Sequence, residues 1–302
     1  MPKNVLITGG TGLVGHHLTL LLISKGYHVA HLSRSPSPDS SITTYLWDID
    51  KGYIQREALD FADYIIHLAG AGVADKKWTD SRKKVIMNSR TQSTRLLFDT
   101  ISQGGYPLQR FVSASAIGYY GMDTGDKWIT EESGHGTDFL ADVTSRWEEE
   151  VKKFHQIDVP EVRIRIGVVL AEEGGALPKM AKPVRFGLGA PLGDGSQYVS
   201  WIHIQDLCGI LAHALTSNRM ENQPYNAVAP YPVTNKELTK QIGKALRKPV
   251  FLPSVPAFML KMVLGEMSQI VLGGNRVSSE KIRHTGFDFS YPHVDQALKD
   301  LL

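Results

Sequence analysis

The sequence predicts an α/β fold: a doubly wound, mostly parallel sheet with a smaller C-terminal domain on its substrate side. Three observations carry that expectation. Apolar strand-like runs alternate with helical patterns over the first 170 or so residues, a glycine cluster separates the first run from the first helix, and after about residue 172 the chain becomes rich in glycine and proline. A chain of 302 residues exceeds what one small core needs. The expected division is 1–172, with sheet contributions from about 199–230, and 173–302 for the substrate-side loop and small domain.

The elements follow in order. Val5-Leu6-Ile7 is a buried-strand run, and a helical pattern through Leu18, Leu21 and Leu22 stops at Gly26. Tyr27 to Ser33 is the second strand, which completes a right-handed βαβ unit. Further strands are expected at Thr44-Tyr45-Leu46, Tyr64 to Leu68, Phe111-Val112-Ser113 and Val162 to Leu170, with helices over Trp78–Ser102 and Asp142–His155. Gly174 to Gly195 reads as a long functional loop. Val199 to Leu207 resumes order, a helix starts near Asp206, and Thr234-Asn235-Lys236-Glu237 has capping-box spacing for a helix over Lys236–Leu246. Pro256 to Leu272 is apolar but interrupted by Lys261 and Glu266, too short for the ~20 apolar residues that a bilayer span needs. It is expected to be an amphipathic helix packed on the body, in preference to a membrane or partner surface.

Composition narrows the function classes. Hydrophobic residues at 42% and charged residues at 21% exclude a disordered or collagen-like chain. The net charge of +2, from 33 basic and 31 acidic residues, forms no basic tract, so neither nucleic acid nor membrane is an expected partner. The single cysteine, Cys208, forms no internal disulfide, and no Cys/His cluster has metal-ligand spacing. Met1 leads straight into a strand with no basic leader, so a cytoplasmic monomer or homodimer acting on a small molecule is expected.

The glycine cluster carries the chemistry. Thr8-Gly9-Gly10-Thr11-Gly12-Leu13-Val14-Gly15 stands directly after the first strand and opens the first helix, where glycines let backbone approach a pyrophosphate and the helix N-terminus favours negative charge. That context makes a Rossmann-type dinucleotide site. An acid at the end of the second strand would hold ribose hydroxyls; this chain has Leu32-Ser33-Arg34 instead, and a guanidinium fork suits a 2′-phosphate. The expected cofactor is therefore NADP(H).

Taken together, Thr8 to Gly15, His67-Leu68-Ala69-Gly70 and Ser113-Ala114-Ser115 resemble the extended short-chain dehydrogenase/reductases. Ser33-Arg34, Trp78 with Ser89-Arg90, Ser113 to Gly121, Gly187-Leu188-Gly189, Ser200 to His203 and Gly286 to Phe289 resemble, more narrowly, the atypical epimerase-like branch that holds the bacterial YfcH-type proteins. The resemblance covers nearly the whole chain. It implies that Gly9, Thr11, Gly12, Leu13, Val14 and Gly15 surround the pyrophosphate and that Ser33 and Arg34 take the 2′-phosphate. It puts Trp47-Asp48 near the adenine, and has Leu68, Ala69, Gly70, Arg90 and Ser113 line the cofactor and Val168 and Val169 approach the nicotinamide.

The same resemblance leaves the proton donor open. Classical members use a Tyr-x-x-x-Lys pair, because an unperturbed tyrosine titrates near ~10 and needs help to act as acid or base. Here Leu140 and Thr144 stand at those positions, when Glu148 is aligned with the usual acid of that helix. Ser115 and a tyrosine of the Gly118–Gly121 loop, Tyr119 or Tyr120, are the substitute candidates, and His203 is expected to order its loop or pack. Two readings stay open: an NADP(H)-dependent oxidoreductase or epimerase-like enzyme, and an NADP(H)-binding regulatory or scaffold protein without proton transfer.

Overall fold

The computed structural model describes residues 3–36 and 41–302; Met1, where the sequence was read for a leader, lies outside them. The strands are β1 (Asn4–Thr8), β2 (His28–Ser33), β3 (Thr43–Asp48), β4 (Tyr53–Ile54), β5 (Tyr64–His67), β6 (Arg110–Ala116) and β7 (Trp128–Ile129). They continue with β8 (Glu161–Ile166), β9 (Val168–Leu170), β10 (Tyr198–Val199), β11 (Trp201–His203), β12 (Gln223–Ala227), β13 (Val233–Thr234) and β14 (Arg276–Val277). Eight of them form one sheet in the order β12-β8-β6-β5-β1-β2-β3-β4, parallel throughout except for the β3–β4 edge.

Parallel strands covered on both faces are continuous apolar runs, and Val5, Leu6 and Ile7 of β1 are all fully buried. One face is covered by α1 (Leu13–Ser24), packed around Leu18 and Leu22, and by α6 (Ile204–Thr216) around Ile210 and Leu211. The other is covered by α2 (Glu57–Phe61), α3 (Asp80–Gly104) and α4 (Phe139–Lys152), where Phe111 stacks on Phe154 at 3.9 Å. α3 starts on a Thr79 cap and ends at Gly105, whose φ of 63° suits the left-handed stop. Strand order reverses between β1 and β5, and a crevice outside the carboxyl ends of those two strands is where open α/β sheets bind ligands.

A third core, around Trp201, Leu238, Ile242 and Leu298, joins α5 (Leu177–Arg185), α7 (Asn235–Ala245) and α11 (Val294–Leu301). Between α7 and α11 run α8 (Ala257–Leu264), α9 (Gln269–Leu272) and α10 (Glu280–His284). Thr234 caps α7 by accepting from Glu237 N at 3.2 Å.

Four expectations are corrected. Val162–Leu170 is two strands: β8 belongs to the large sheet, whereas β9 pairs with β11, because the chain turns at Gly167, where a Cβ would lie 2.4 Å from Ser200 O. The long loop contains α5, which tolerates Pro178 in its first turn, where no intrahelical N–H is needed. The helix expected from Asp142 begins at Phe139 on an Asp138 cap. The Pro256–Leu272 segment is not a packed amphipathic helix. α8 contains no buried residue; Ala257, Leu260 and Leu264 face inward and only partly, and Phe258 and Met262 are 69% and 74% exposed.

Candidate functional site

The glycine loop is shaped by close approach. Gly9 has a φ of 71°, and a Cβ there would sit 3.1 Å from the Leu68–Ala69 backbone. A Cβ at Gly10 would strike the His31 ring at 2.3 Å, and one at Gly15 would meet Gly9 O at 2.3 Å. α1 then starts at Gly12 with no side chain capping it and no acid in its first turn. Leu13 and Val14 supply free N–H groups there, so the helix end is open to an anion beside Thr11.

The neighbouring strand ends are fixed by a buried hydrogen-bond chain. Thr8 Oγ1 accepts from Leu68 N and Ala69 N, both at 3.1 Å, so its own proton goes to His67 Nδ1 at 2.7 Å. His67 therefore carries its proton on Nε2, which faces Ser93 Oγ at 3.1 Å, and Ser93 in turn donates to Ser89 O. Burial pushes His67 down to about 3, with the Arg90 charge acting in the same direction. This chain sets the position of Leu68, Ala69 and Gly70 against Gly9.

Beside the loop lies a cleft of about 660 Å³, lined by Arg34, Trp47, Asp48, Lys84, Asn88 and Gln92 among others. Arg34 is exposed at the end of β2 and Ser33 half-buried beside it. Asp48 is held below the usual carboxylate range, first by the Lys51 backbone N–H; its second oxygen lies 3.3 Å from Lys51 Nζ. Of the two acids that line this cleft, Asp48 is thus already paired and Asp50 is exposed; among the described residues its lining cations without an ion pair are Arg34 and Lys84. Lys84, Asn88 and Gln92 went unread in the sequence. Their spacing of four along α3 was the available signal, since it puts them on one face.

Arg90 reaches the same crevice. Its Nη1 donates to Ala71 O at 3.0 Å and to Ile86 O at 3.1 Å, its guanidinium carbon would be 3.1 Å from a Cβ on Gly70, and burial pushes it down to about 10. Ser89 Oγ accepts from Ala71 N, and Trp78 donates to Val73 O, so the Gly70–Thr79 loop is pinned at both ends. On the opposite wall Val168 and Val169 are half-buried, and Leu13 packs where Cβ atoms on Gly174 and Gly175 would stand. Ser113 differs from the expectation. It is fully buried within β6, and its hydroxyl is committed to Ala114 O at 2.8 Å.

A buried ion pair joins α4 to β8. Arg165 Nε and Nη2 grip Glu148 Oε1 and Oε2 at 2.7 and 2.8 Å, and Ser115 donates to Glu148 Oε1 at 2.6 Å. Arg165 Nη1 also donates to Tyr120 OH at 3.0 Å, and Tyr120 donates to Asn226 Oδ1 at 2.6 Å. Tyr120, read from the sequence as a phenol over the pocket, is instead 4% exposed, and burial pushes it up to about 12. It is a support for the ion pair and no acid or base near neutral pH. The Tyr119 ring lies flat under the Arg165 guanidinium at 3.5 Å. Thr144 donates to Leu140 O at 2.7 Å, which leaves the Tyr-x-x-x-Lys positions without a titrating group. His203 packs as expected: it stacks on Tyr291 at 3.8 Å and accepts from Gln205 N at 3.1 Å. The Glu148–Arg165 pair was missed, although Arg163 and Arg165 share one face of β8 with only Glu161, which pairs with Arg163, so that Arg165 demanded a further buried acid.

Comparisons agree with this architecture. A model of the NAD dependent epimerase/dehydratase family matches residues 5–143, and a domain of unknown function, DUF1731, matches 255–301. The epimerase family protein YfhF of Bacillus subtilis is 35% identical over 99% of this chain and 98% of its own length. The human epimerase family protein SDR39U1 is 34% identical over 99% of both chains, and its crystal structure with NADPH superposes with a TM-score of 0.87, covering 99% of each chain. A UDP-glucose 4-epimerase from Thermotoga maritima, 18% identical with a TM-score of 0.77, shares the fold. Through full-length relatives at this level of identity, the chain belongs to the NAD-dependent epimerase/dehydratase family, in the SDR39U1-like branch of atypical extended short-chain dehydrogenase/reductases.

Proposed function

We propose that this protein binds NADP(H) and acts as an oxidoreductase or epimerase-like enzyme on a small-molecule substrate, as a monomer or homodimer in the cytoplasm. One observation carries the cofactor choice: the cleft at the end of β2 offers Arg34 and Lys84, and of its two acids Asp48 is occupied by Lys51, which leaves Asp50 alone against two cations. The glycine cradle fits a pyrophosphate, since any Cβ at Gly9 or Gly15 would close it. A relative 32% identical over nearly its whole length is known with NADPH.

The bound nicotinamide supplies or accepts hydride. This chain's residues then have distinct tasks. Gly9 to Gly15 offer backbone N–H groups to the pyrophosphate, and Ser33, Arg34 and Lys84 neutralise the 2′-phosphate. Leu68, Ala69 and Gly70, held by Thr8 and His67, set the depth of the dinucleotide. Ser115, 3% exposed, gives its hydrogen to Glu148, so its oxygen is left to accept from a substrate hydroxyl, with Arg165 holding that carboxylate and Tyr120 supporting Arg165.

Paired calorimetric titrations with NADPH and NADH test the reading. Tighter binding of NADPH is expected, and Arg34→Ala should weaken it about 10- to 100-fold, the worth of a hydrogen-bonded charge pair, while leaving NADH unchanged. A substrate screen by NADPH oxidation follows from that result. If neither nucleotide binds, the glycine loop is only an inherited turn and the proposal falls.

A further inference from the structure

Two segments of the substrate-side lobe are basic without any acid. Residues 174–193 contain Lys179, Lys182 and Arg185, and residues 238–265 contain Lys240, Lys244, Arg247, Lys248 and Lys261; neither segment has an Asp or Glu. The whole chain, in contrast, is nearly balanced, at 33 basic to 31 acidic. The fold brings the two segments together. α5 packs on α7, Cβ atoms on Gly189 and Gly243 would touch Val250 at 3.3 and 2.6 Å, and Leu192 bridges to Val255. All of these cations are exposed, and among the described residues none is ion-paired.

The same two segments carry large apolar side chains in solvent. Phe186 and Leu188, in the turn after α5, are 73% and 64% exposed, and Phe251, next to Val250, is 73% exposed. The outer side of α8 adds Phe258, Met259, Met262 and Val263. Single exposed hydrophobes are ordinary; a cluster of them among unpaired cations marks an interaction surface. Of the acids that border the segments, Glu173 pairs with His17, Asp194 accepts from Ser196 and Glu266 pairs with Lys83; Glu237 lies in the first turn of α7, at the opposite end from Lys244, and Glu172 stands exposed ahead of Gly174.

We infer that this face docks on an anionic lipid surface, with α8 lying in the interfacial plane, its apolar side chains below the headgroups and the lysines and arginines on lipid phosphates. Charge decides the occupant. A second copy would bring like charges against like, whereas an anionic bilayer offers both counter-charge and an apolar layer for Phe258 and Met262. Among the described residues no helix is long and apolar enough to cross a membrane, and α8 at eight residues has the length of a surface contact.

The test is cosedimentation of the full chain with vesicles of phosphatidylcholine alone and with about one third phosphatidylglycerol. Binding should require the anionic lipid and fall with added salt. Lys244→Gln and Arg247→Gln should each weaken it about fivefold. The pair Phe258→Ser with Met262→Ser should weaken it at least about tenfold without moving the thermal midpoint, because neither side chain is buried. The inference is overturned if anionic vesicles do not bind the chain, or if binding ignores both sets of variants. It is equally overturned if sedimentation velocity shows a dimer that the Ser pair dissolves, since the face would then belong to a second copy. NADPH titration of each variant reads the cofactor proposal separately.

Discussion

His67 shows how one ring sets both geometry and pH response. With Thr8 Oγ1 donating to Nδ1 and Ser93 Oγ accepting from Nε2, the neutral ring has a partner on each nitrogen in a fully buried site, packed edge-on to Trp47 and Trp147. Its folded pKa of about 3 lies far below the 6.5 of an unfolded histidine. Over that window the unfolded chain binds a proton that the folded chain refuses, so stability falls as pH is lowered from about 6.5 toward 3, by up to about 1.4 kcal/mol per unit. Between pH 7 and pH 5 His67 alone should account for a loss of about 2 kcal/mol. Urea unfolding of the wild type and of His67→Asn at both pH values measures it. The variant should lose about 2 kcal/mol less than the wild type over the interval, and an equal loss would mean that the ring does not stay neutral in the folded protein.

At the scale of elements, Asp138 decides where α4 begins and how the tyrosine turn is held. Its Oδ1 accepts from Leu140 N and Ala141 N, and its Oδ2 from Met122 N at 2.8 Å, so one carboxylate caps a helix and anchors the turn after Tyr120. Asp138→Ala should cost about 1–2 kcal/mol, seen as a lower urea midpoint at unchanged slope, while Asp138→Asn keeps most of the cap. Elements of this kind explain which parts of the fold the sequence disclosed. β1, α1 and β2 were legible because apolar period, glycine placement and burial all agree there. The break at Gly167 was not, because Val-Arg-Ile-Arg-Ile and Val-Val-Leu both read as strand on either side of a single glycine, and it is the close contact with Ser200 that requires the turn there. α5 was hidden by two prolines that read as loop, although its first turn accepts one. For α8 the apolar count was right and the surface wrong, since hydrophobicity does not say whether a helix meets the body or something outside it. In the site, the glycine loop and Arg34 were legible from local sequence, whereas Arg90 came only from the family resemblance. Lys84 and the Glu148–Arg165 pair depend on elements far apart in the chain.

At the scale of the whole molecule, the C-terminal part is threaded through the Rossmann half. Ser200 Oγ donates to Asn275 O and accepts from Val277 N, and Asn275 Nδ2 donates to Gly121 O. Asp206 at the start of α6 accepts from Ser290 N and Tyr291 N, so the helix that covers the large sheet also holds the segment leading into α11. Leu13, at the proposed pyrophosphate end of α1, packs against Gly174 and Gly175, which lead into α5. Contacts spread this widely make the two lobes one cooperative unit, and a ligand on one must stabilise both. NADPH at about 100 times its Kd should contribute about 2.7 kcal/mol and raise a single thermal transition by about 5 °C. Hydrogen exchange locates the effect. Amides of α7 and α11, which contain no proposed cofactor residue, should slow together with those of α1, because their slowest exchange passes through global unfolding. If only α1 and β1 slow while α7 and α11 exchange as before, the lobes open independently and the threading through Asn275 and Asp206 does not couple them.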